Sequence, residues 1–161
     1  MDRTLRDKVT LVTGCGPGIG RATATAFARD GADVVIAARR REPLEEMAEA
    51  LAAETGRRVL AMPCDISDPE AIERLVAGTV AELGRLDVVV NVATAGFERL
   101  RIVDMDFSGY ARSVQLNVIG TMKVCAEAAK QMAGQGGGSI INIGSLASTA
   151  LSPKNGEYAS T

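Results

Sequence analysis

Several residue types that many enzymes depend on are missing or scarce in this chain. It contains no histidine, no tryptophan and only 3% aromatic residues, and its three cysteines form no Cys-x-x-Cys pair. The absence of histidine excludes Ser-His-Asp and Cys-His catalysis and histidine-ligated metal sites, and the cysteine spacing argues against structural zinc. We therefore expect no metal site, and any acid–base chemistry must come from tyrosine, lysine, carboxylates or cysteine.

Long apolar stretches and a strong net charge are also missing. No run of about eighteen apolar residues occurs, and residues 1–8 have no apolar core, so neither a membrane span nor a secretory signal is predicted. The formal net charge of −2 offers no general basic surface for nucleic acid. Scattered cysteines in odd number indicate free thiols in a reducing compartment, so we expect a cytoplasmic protein.

Short apolar runs alternate with longer helical patterns along the whole sequence. Strands are predicted at 9–13, 33–38, 58–62, 86–91 and 139–143. Helices are predicted at 18–30, 42–55 and roughly 107–133, with a loop over 144–157. A further helix is predicted to open at residues 67–70 and to carry a buried stripe from Ile72 to Leu83. Ser67 is the predicted cap of the third helix. The alternation is typical of right-handed β-α-β units, so residues 1–161 are predicted to form a single α/β domain with a Rossmann-like, doubly wound parallel sheet.

The fifth predicted strand is apolar on both faces, with Ile140, Ile141 and Ile143 in a row of five residues. If nothing follows Thr161, part of this strand has no cover, and an exposed apolar edge strand promotes aggregation. We therefore expect that C-terminal strands belonging to the fold are missing from this sequence.

A glycine-rich segment, T-G-C-G-P-G-I-G at residues 13–20, lies between the first predicted strand and the first predicted helix. Glycine allows a tight turn and close approach of a pyrophosphate, and the start of the next helix offers free N–H groups to an anion. A turn with only a structural role is the alternative. The predicted dinucleotide-binding residues of this segment are Gly14, Gly16, Pro17, Gly18, Ile19 and Gly20.

The spacing T-G-x-x-x-G-x-G in this context resembles the classical short-chain dehydrogenase/reductase family. The resemblance extends over essentially all 161 residues and implies the strand order 3-2-1-4-5. Asn117, Ser145 and Tyr158 match the catalytic asparagine, serine and tyrosine of the family. In a Tyr-x-x-x-Lys motif the lysine would directly follow Thr161, so the sequence stops one residue before it. Taken singly, the three matches also fit a helix residue, a loop hydroxyl and a surface ring.

The resemblance implies an oxidoreductase that transfers hydride between a nicotinamide cofactor and a carbonyl or secondary alcohol. Tyr158 would act as general acid–base and also border the cofactor, while Ser145 would hold the carbonyl oxygen. The alternative is a non-catalytic dinucleotide-binding sensor or partner-binding module that lacks the lysine. An epimerase or dehydratase of the extended branch of the family is disfavoured. That branch typically has two residues between the first two glycines of its motif, whereas three residues separate Gly14 and Gly18 here.

The residues after the second predicted strand indicate which dinucleotide is preferred. An acidic residue there would bind the ribose 2′-OH of NAD, whereas this chain has Ala38 followed by three arginines. Arginines ahead of a helix oppose its positive end, which suggests an anionic partner such as the 2′-phosphate of NADP. We expect NADP rather than NAD, bound by Arg39 and Arg40. A solvated basic turn is the alternative.

Two further segments match family positions beside the cofactor. Asp65 and Ile66 follow the third strand, where the family has Asp-Val near the adenine. Asn91 and Ala93 match the Asn-Asn-Ala-Gly segment after the fourth strand, whose other two positions carry valine and threonine here. Family members commonly form homotetramers or homodimers. We therefore expect a homo-oligomer acting on a small carbonyl or alcohol, with no nucleic-acid or membrane partner.

Overall fold

A five-stranded parallel sheet in the order β3-β2-β1-β4-β5 forms the centre of the molecule. The computed structural model describes residues 4–96, 98–105, 107–150 and 153–161. The strands are β1 Val9–Thr13, β2 Asp33–Ala37, β3 Val59–Ala61, β4 Val88–Asn91 and β5 Ser139–Asn142. The predicted parallel sheet and its strand order are confirmed, and the predicted strand ends differ from those observed by at most two residues.

Helices connect the strands. They are α1 Ile19–Arg29, α2 Arg41–Thr55, α3 Pro69–Leu83, α4 Phe107–Val114, α5 Thr121–Gly134 and α6 Gly156–Ala159. Short 3-10 turns occupy Ile102–Asp104 and Leu146–Ser148. Among the described residues, no helix combines the length and the apolar character that crossing a bilayer requires.

Both faces of the sheet are covered, which explains the uninterrupted apolar runs of the strands. Successive residues of a strand point to opposite faces. Leu11 and Val35 pack against α3 and α5, whereas Val12 and Ile36 pack against α1 and α2. The two helical layers therefore hold the carboxyl ends of β1 to β4 together at one edge of the domain.

The outer strand β5 pairs only with β4 among the described residues. Ile141 and Ile143 are each 43% exposed. Apolar side chains in and directly after this strand are therefore partly exposed in the described part of the chain.

The predicted cap of α3 is wrong by one residue. The side chain of Asp68, not Ser67, accepts hydrogen bonds from the amides of Glu70 and Ala71, at 2.9 and 3.2 Å. The hydroxyl of Ser67 instead donates to Asp65 at 2.8 Å. Asp and Ser are about equally good caps, so the sequence pattern alone did not distinguish the two neighbours.

The predicted long helix over 107–133 is interrupted. A π-helical segment, Gln115–Gly120, separates α4 from α5. Gly120 passes so close to the carbonyl oxygen of Ile66 that a Cβ would overlap with it. Such wide turns occur often at functional sites, and Asn117 lies within this one. A hydrophobic period of 3.6 residues continues on both sides of the wide turn, so the sequence pattern did not reveal it.

Candidate functional site

A cleft of about 490 Å³ opens at the carboxyl ends of β1, β2, β3 and β4. Open α/β sheets bind their ligands at this edge. The lining comes from the turns that follow these strands and from the beginning of α2. Of the residues predicted to bind a cofactor, the cleft brings together Gly14, Gly16, Pro17, Arg39, Arg40, Asp65, Ile66 and Ala93.

The glycine-rich turn is packed tightly against the end of β4. Gly14 has a φ of +69°, which side chains rarely adopt, and a Cβ at this position would overlap with the backbone of Ala93. The amide of Cys15 donates to the carbonyl of Ala37 at 3.0 Å, which ties the same turn to β2. Gly16, by contrast, has nothing within 4 Å of a hypothetical Cβ, so the turn leaves open space on its cleft side.

The first turn of α1 offers amide groups to an anion. The amides of Arg21 and Ala22 donate to the carbonyls of Gly16 and Gly18, at 3.2 and 2.9 Å. Those of Ile19 and Gly20 have no acceptor among the described residues, as is usual at a helix start. Gly18, Ile19 and Gly20 thus lie at the beginning of α1 rather than in the cleft lining.

Two arginines without a direct ion pair line the cleft. Arg39 and Arg40 are exposed, and neither makes an ion pair within the part of the chain that the structure describes. The neighbouring Arg41 differs, because it pairs with Glu45 at 3.0 Å. Two guanidinium groups therefore remain available to an anionic ligand.

Asp65 supplies a carboxylate to the lining of the same cleft. Its pKa lies below the ordinary value, chiefly because the backbone amide of Ser67 donates to Oδ1 at 2.9 Å. Burial opposes this shift, whereas the Ser67 hydroxyl and the positive charge of Arg39 add to it. The carboxylate is therefore ionised at neutral pH and can accept hydrogen bonds from a ligand amine.

Asn91 does not line the cleft. It is 4% exposed, and its amide side chain is used inside the sheet. Its Oδ1 accepts from the Thr13 hydroxyl at 3.1 Å, and its Nδ2 donates to Asn142 Oδ1 at 2.9 Å and to Cys125 Sγ at 3.4 Å. The side chain braces β1, β4 and β5 below the cleft, so the structure shows a supporting position instead of the predicted direct contact.

The three predicted catalytic residues lie on separate elements, and none of them is part of the cleft lining. Asn117 bridges two segments, because its Oδ1 accepts from the Ala95 amide at 2.7 Å and its Nδ2 donates to the Thr161 hydroxyl at 2.8 Å. Ser145 is exposed before the second 3-10 turn, and its hydroxyl oxygen accepts from the Ala147 amide at 3.1 Å. Tyr158 is half-buried in α6.

The sequence model described as "short chain dehydrogenase" matches residues 8–161. This chain belongs to the short-chain dehydrogenase family. It is 39% identical over 158 residues to a sorbitol dehydrogenase of Cereibacter sphaeroides, covering 98% of this chain and 60% of that protein.

Solved structures agree with this membership. A short chain dehydrogenase from Mycobacterium smegmatis has a TM-score of 0.93 at 35% identity, with coverage of 97% of this chain and 65% of that one. An NAD+-bound xylitol dehydrogenase has a TM-score of 0.93 at 30% identity, with coverage of 98% and 60%. The chain therefore spans less than two thirds of the length of each of these family members.

Part of the cleft was not predicted from the sequence. Pro43, Leu44 and Met47 of α2 line it, as does Leu116 of the π-helical segment. The first turns of α2 therefore cover the cleft as well as the core. The sequence did contain one hint for Pro43, Leu44 and Met47, because they follow closely after the arginines at 39–41.

A second cavity of about 680 Å³ adjoins the cleft and shares Arg39, Asp65 and Leu116 with it. Its other wall includes Arg112, Gln115 and Glu157. The cavity joins segments that are far apart in sequence, around residues 39, 65, 112–116 and 157, and no motif in the chain pointed to their meeting.

Proposed function

We propose that this protein is an NADP(H)-dependent oxidoreductase that interconverts a small carbonyl compound and a secondary alcohol. The observation that supports it most is the gathering of the glycine-rich turn, two unpaired arginines and Asp65 around one cleft in a short-chain dehydrogenase. The nicotinamide cofactor supplies or accepts the hydride when it is bound. Residues 1–161 form its dinucleotide-binding domain.

The residues of the cleft fit such a cofactor. Space beside Gly16 and the amides of Ile19 and Gly20 at the positive end of α1 suit a pyrophosphate. The ionised Asp65 in the same lining suits the amino group of an adenine. The cavity therefore contains positive partners for phosphate and a negative partner for the base.

The preference for NADP rests on Arg39 and Arg40. A similar structure contains NAD+, so the shared fold by itself leaves the choice of cofactor open. Ala38 provides no carboxylate for a ribose 2′-OH, whereas the two unpaired guanidinium groups provide bidentate donors for a phosphate. Both features favour a phosphorylated ribose.

The catalytic part of the proposal assigns one role to each of three residues. In the direction of reduction, the Tyr158 phenol donates its proton to the substrate oxygen, and the exposed Ser145 hydroxyl donates a hydrogen bond to the same oxygen. Asn117 supports this end of the cleft, because it links the segment after β4 to the residues after Tyr158. In oxidation the phenolate accepts the proton.

We further propose that the protein is cytoplasmic and forms a homo-oligomer. Ile119 and Met122 are 47% and 67% exposed along the π-helical segment and α5. An apolar helical face of this kind fits burial against a second copy. Light scattering on the purified protein tests the assembly, and a monomer at micromolar concentration would count against it.

The cofactor proposal is tested by direct titration with NADPH and NADH. Replacing Arg39 by glutamine removes a charged hydrogen bond of about 1.5–3 kcal/mol, which is roughly a 10- to 150-fold loss of NADPH affinity. NADH affinity stays unchanged. Arg29→Gln is the matched control, because this substitution also removes one exposed charge. Arg29 lies in the last turn of α1, where it pairs with Glu54. Equal losses for both cofactors would overturn the preference.

The catalytic proposal is tested by NADPH oxidation with a panel of aldehydes and ketones. Tyr158→Phe lowers turnover by roughly 10²- to 10⁴-fold, the usual contribution of a general acid, and leaves NADPH affinity intact. Tight binding without turnover of any panel member would instead favour the non-catalytic sensor or partner-binding module.

A further inference from the structure

Tyr158 lies in residues 156–161, which we call the tyrosine turn. This segment contains helix α6 and three local side-chain hydrogen bonds, such as Ser160 Oγ to the Gly156 carbonyl at 2.7 Å. Contacts with other segments of the molecule also hold the turn.

Three such contacts come from one face of α4 and the π-helical segment. Tyr110, Ser113 and Asn117 are spaced three and four residues apart, so they share a face of the helix. Tyr110 accepts from the Ser160 hydroxyl at 3.2 Å, and Ser113 donates to Glu157 at 2.5 Å. Asn117 donates to Thr161 at 2.8 Å. The tyrosine turn is thus held on both sides of Tyr158.

The bond between Ser113 and Glu157 is the strongest of the three. The Ser113 hydroxyl donates to Glu157 Oε1 at 2.5 Å, a length typical of a charge-assisted bond. Ser113 is only 3% exposed, and within the described part of the chain its hydroxyl makes no side-chain hydrogen bond other than the one to Glu157. A buried hydroxyl needs an acceptor, so Ser113 favours the observed position of the turn, in which the Glu157 carboxylate is within reach.

We propose that Ser113 and Glu157 are positioning residues, whose hydrogen bond fixes the orientation of the Tyr158 phenol. Glu157 directly precedes Tyr158, so a shift of its carboxylate rotates the same helical turn. Small displacements of a catalytic group cost large factors in rate. The effect on catalysis rests on the proposed function, whereas the effect on the tyrosine ring does not.

The test uses the small aromatic content of the chain. With two tyrosines and no tryptophan, labelling with [ζ-13C]tyrosine gives two NMR signals, which Tyr110→Phe assigns. We expect Ser113→Ala to shift or broaden the Tyr158 signal and to lower kcat roughly tenfold with the NADPH affinity unchanged. Glu157→Ala has the same effects, and it tests the same bond if Ser113→Ala does not fold.

Two comparisons separate positioning from general loss of stability. Glu157→Gln retains an acceptor for Ser113 and therefore keeps the wild-type Tyr158 signal. Thr79→Val also removes one buried hydroxyl, which bonds to Leu75 within α3 at 2.8 Å, and it leaves signal and kcat unchanged.

A Tyr158 signal that is identical in wild type, Ser113→Ala and Glu157→Ala would overturn the proposal. An inactive wild-type protein would contradict the proposed function but leave the NMR comparison decisive for the bond. A Thr79→Val variant with the same changes as Ser113→Ala would show that the effect is merely structural, and would also overturn it.

Discussion

Substitutions in the glycine-rich turn should have very different effects at neighbouring glycines. Gly14 combines a φ of +69° with backbone contact to Ala93. Gly18 has a φ of +133° but open space around a hypothetical Cβ. Gly16 has neither constraint. The three alanine variants therefore separate conformational strain from steric overlap within one loop.

The expected losses in the free energy of unfolding follow from these constraints. Alanine at position 16 changes stability by no more than about 0.5 kcal/mol, as at an ordinary surface site. At position 18 the strained backbone costs about 1–3 kcal/mol. At position 14 the left-handed conformation costs about 1–2 kcal/mol, and overpacking against Ala93 adds about 1–3 kcal/mol. Gly14→Ala should thus lose about 2–5 kcal/mol.

Urea denaturation followed by circular dichroism measures these differences, with NADPH titration of the folded variants in parallel. We expect Gly14→Ala to unfold at the lowest urea concentration and Gly16→Ala to match the wild type in stability. In the same titrations, Gly16→Ala weakens NADPH binding because its methyl group fills the open space. If Gly14→Ala proves as stable as Gly16→Ala, the described packing of the turn against β4 is incorrect.

Two further predictions concern buried groups. Burial alone would raise the pKa of Asp87, but hydrogen bonds from Arg85, the Val9 amide and Lys8 outweigh it and hold the pKa below its ordinary value. The ionised Asp87 therefore contributes its full stabilisation of the folded state above about pH 4, and this contribution disappears as the pH falls further. The urea midpoints of the wild type and of Asp87→Asn should therefore differ at pH 7 and converge in acid. A constant difference across this range would contradict the assignment. Burial raises the thiol pKa of Cys15 and Cys64 to about 11, so only Cys125 should react quickly with Ellman's reagent at pH 8, and three equally fast thiols would disprove this burial.

Much of the fold was predictable because its signals are local. Alternation of apolar runs and helical patterns predicted all five strands, and the resemblance to short-chain dehydrogenases implied their order. The turn residues also met as expected, since the carboxyl ends of parallel strands share one edge. Gly14, Arg39 and Asp65 come from three different turns, yet they line one cleft.

Other features escaped prediction because they depend on contacts between distant segments. The π-helical turn at 115–120 accompanies the close approach of Gly120 to Ile66 and the bonds of Asn117 to Ala95 and Thr161. Asn91 was expected at the cofactor, but its polar partners are on β1 and β5. No local pattern contains information on such partners.

By itself, the sequence determined the class of fold and the edge of the sheet at which the turns after the strands meet, because strand–helix periodicity and motif spacing are properties of neighbouring residues. Only the tertiary structure decided which glycine is sterically constrained, which arginines remain unpaired and how Ser113 meets Glu157. These are properties of packing between segments far apart in the chain, and they arise only when the two helical layers close over the sheet.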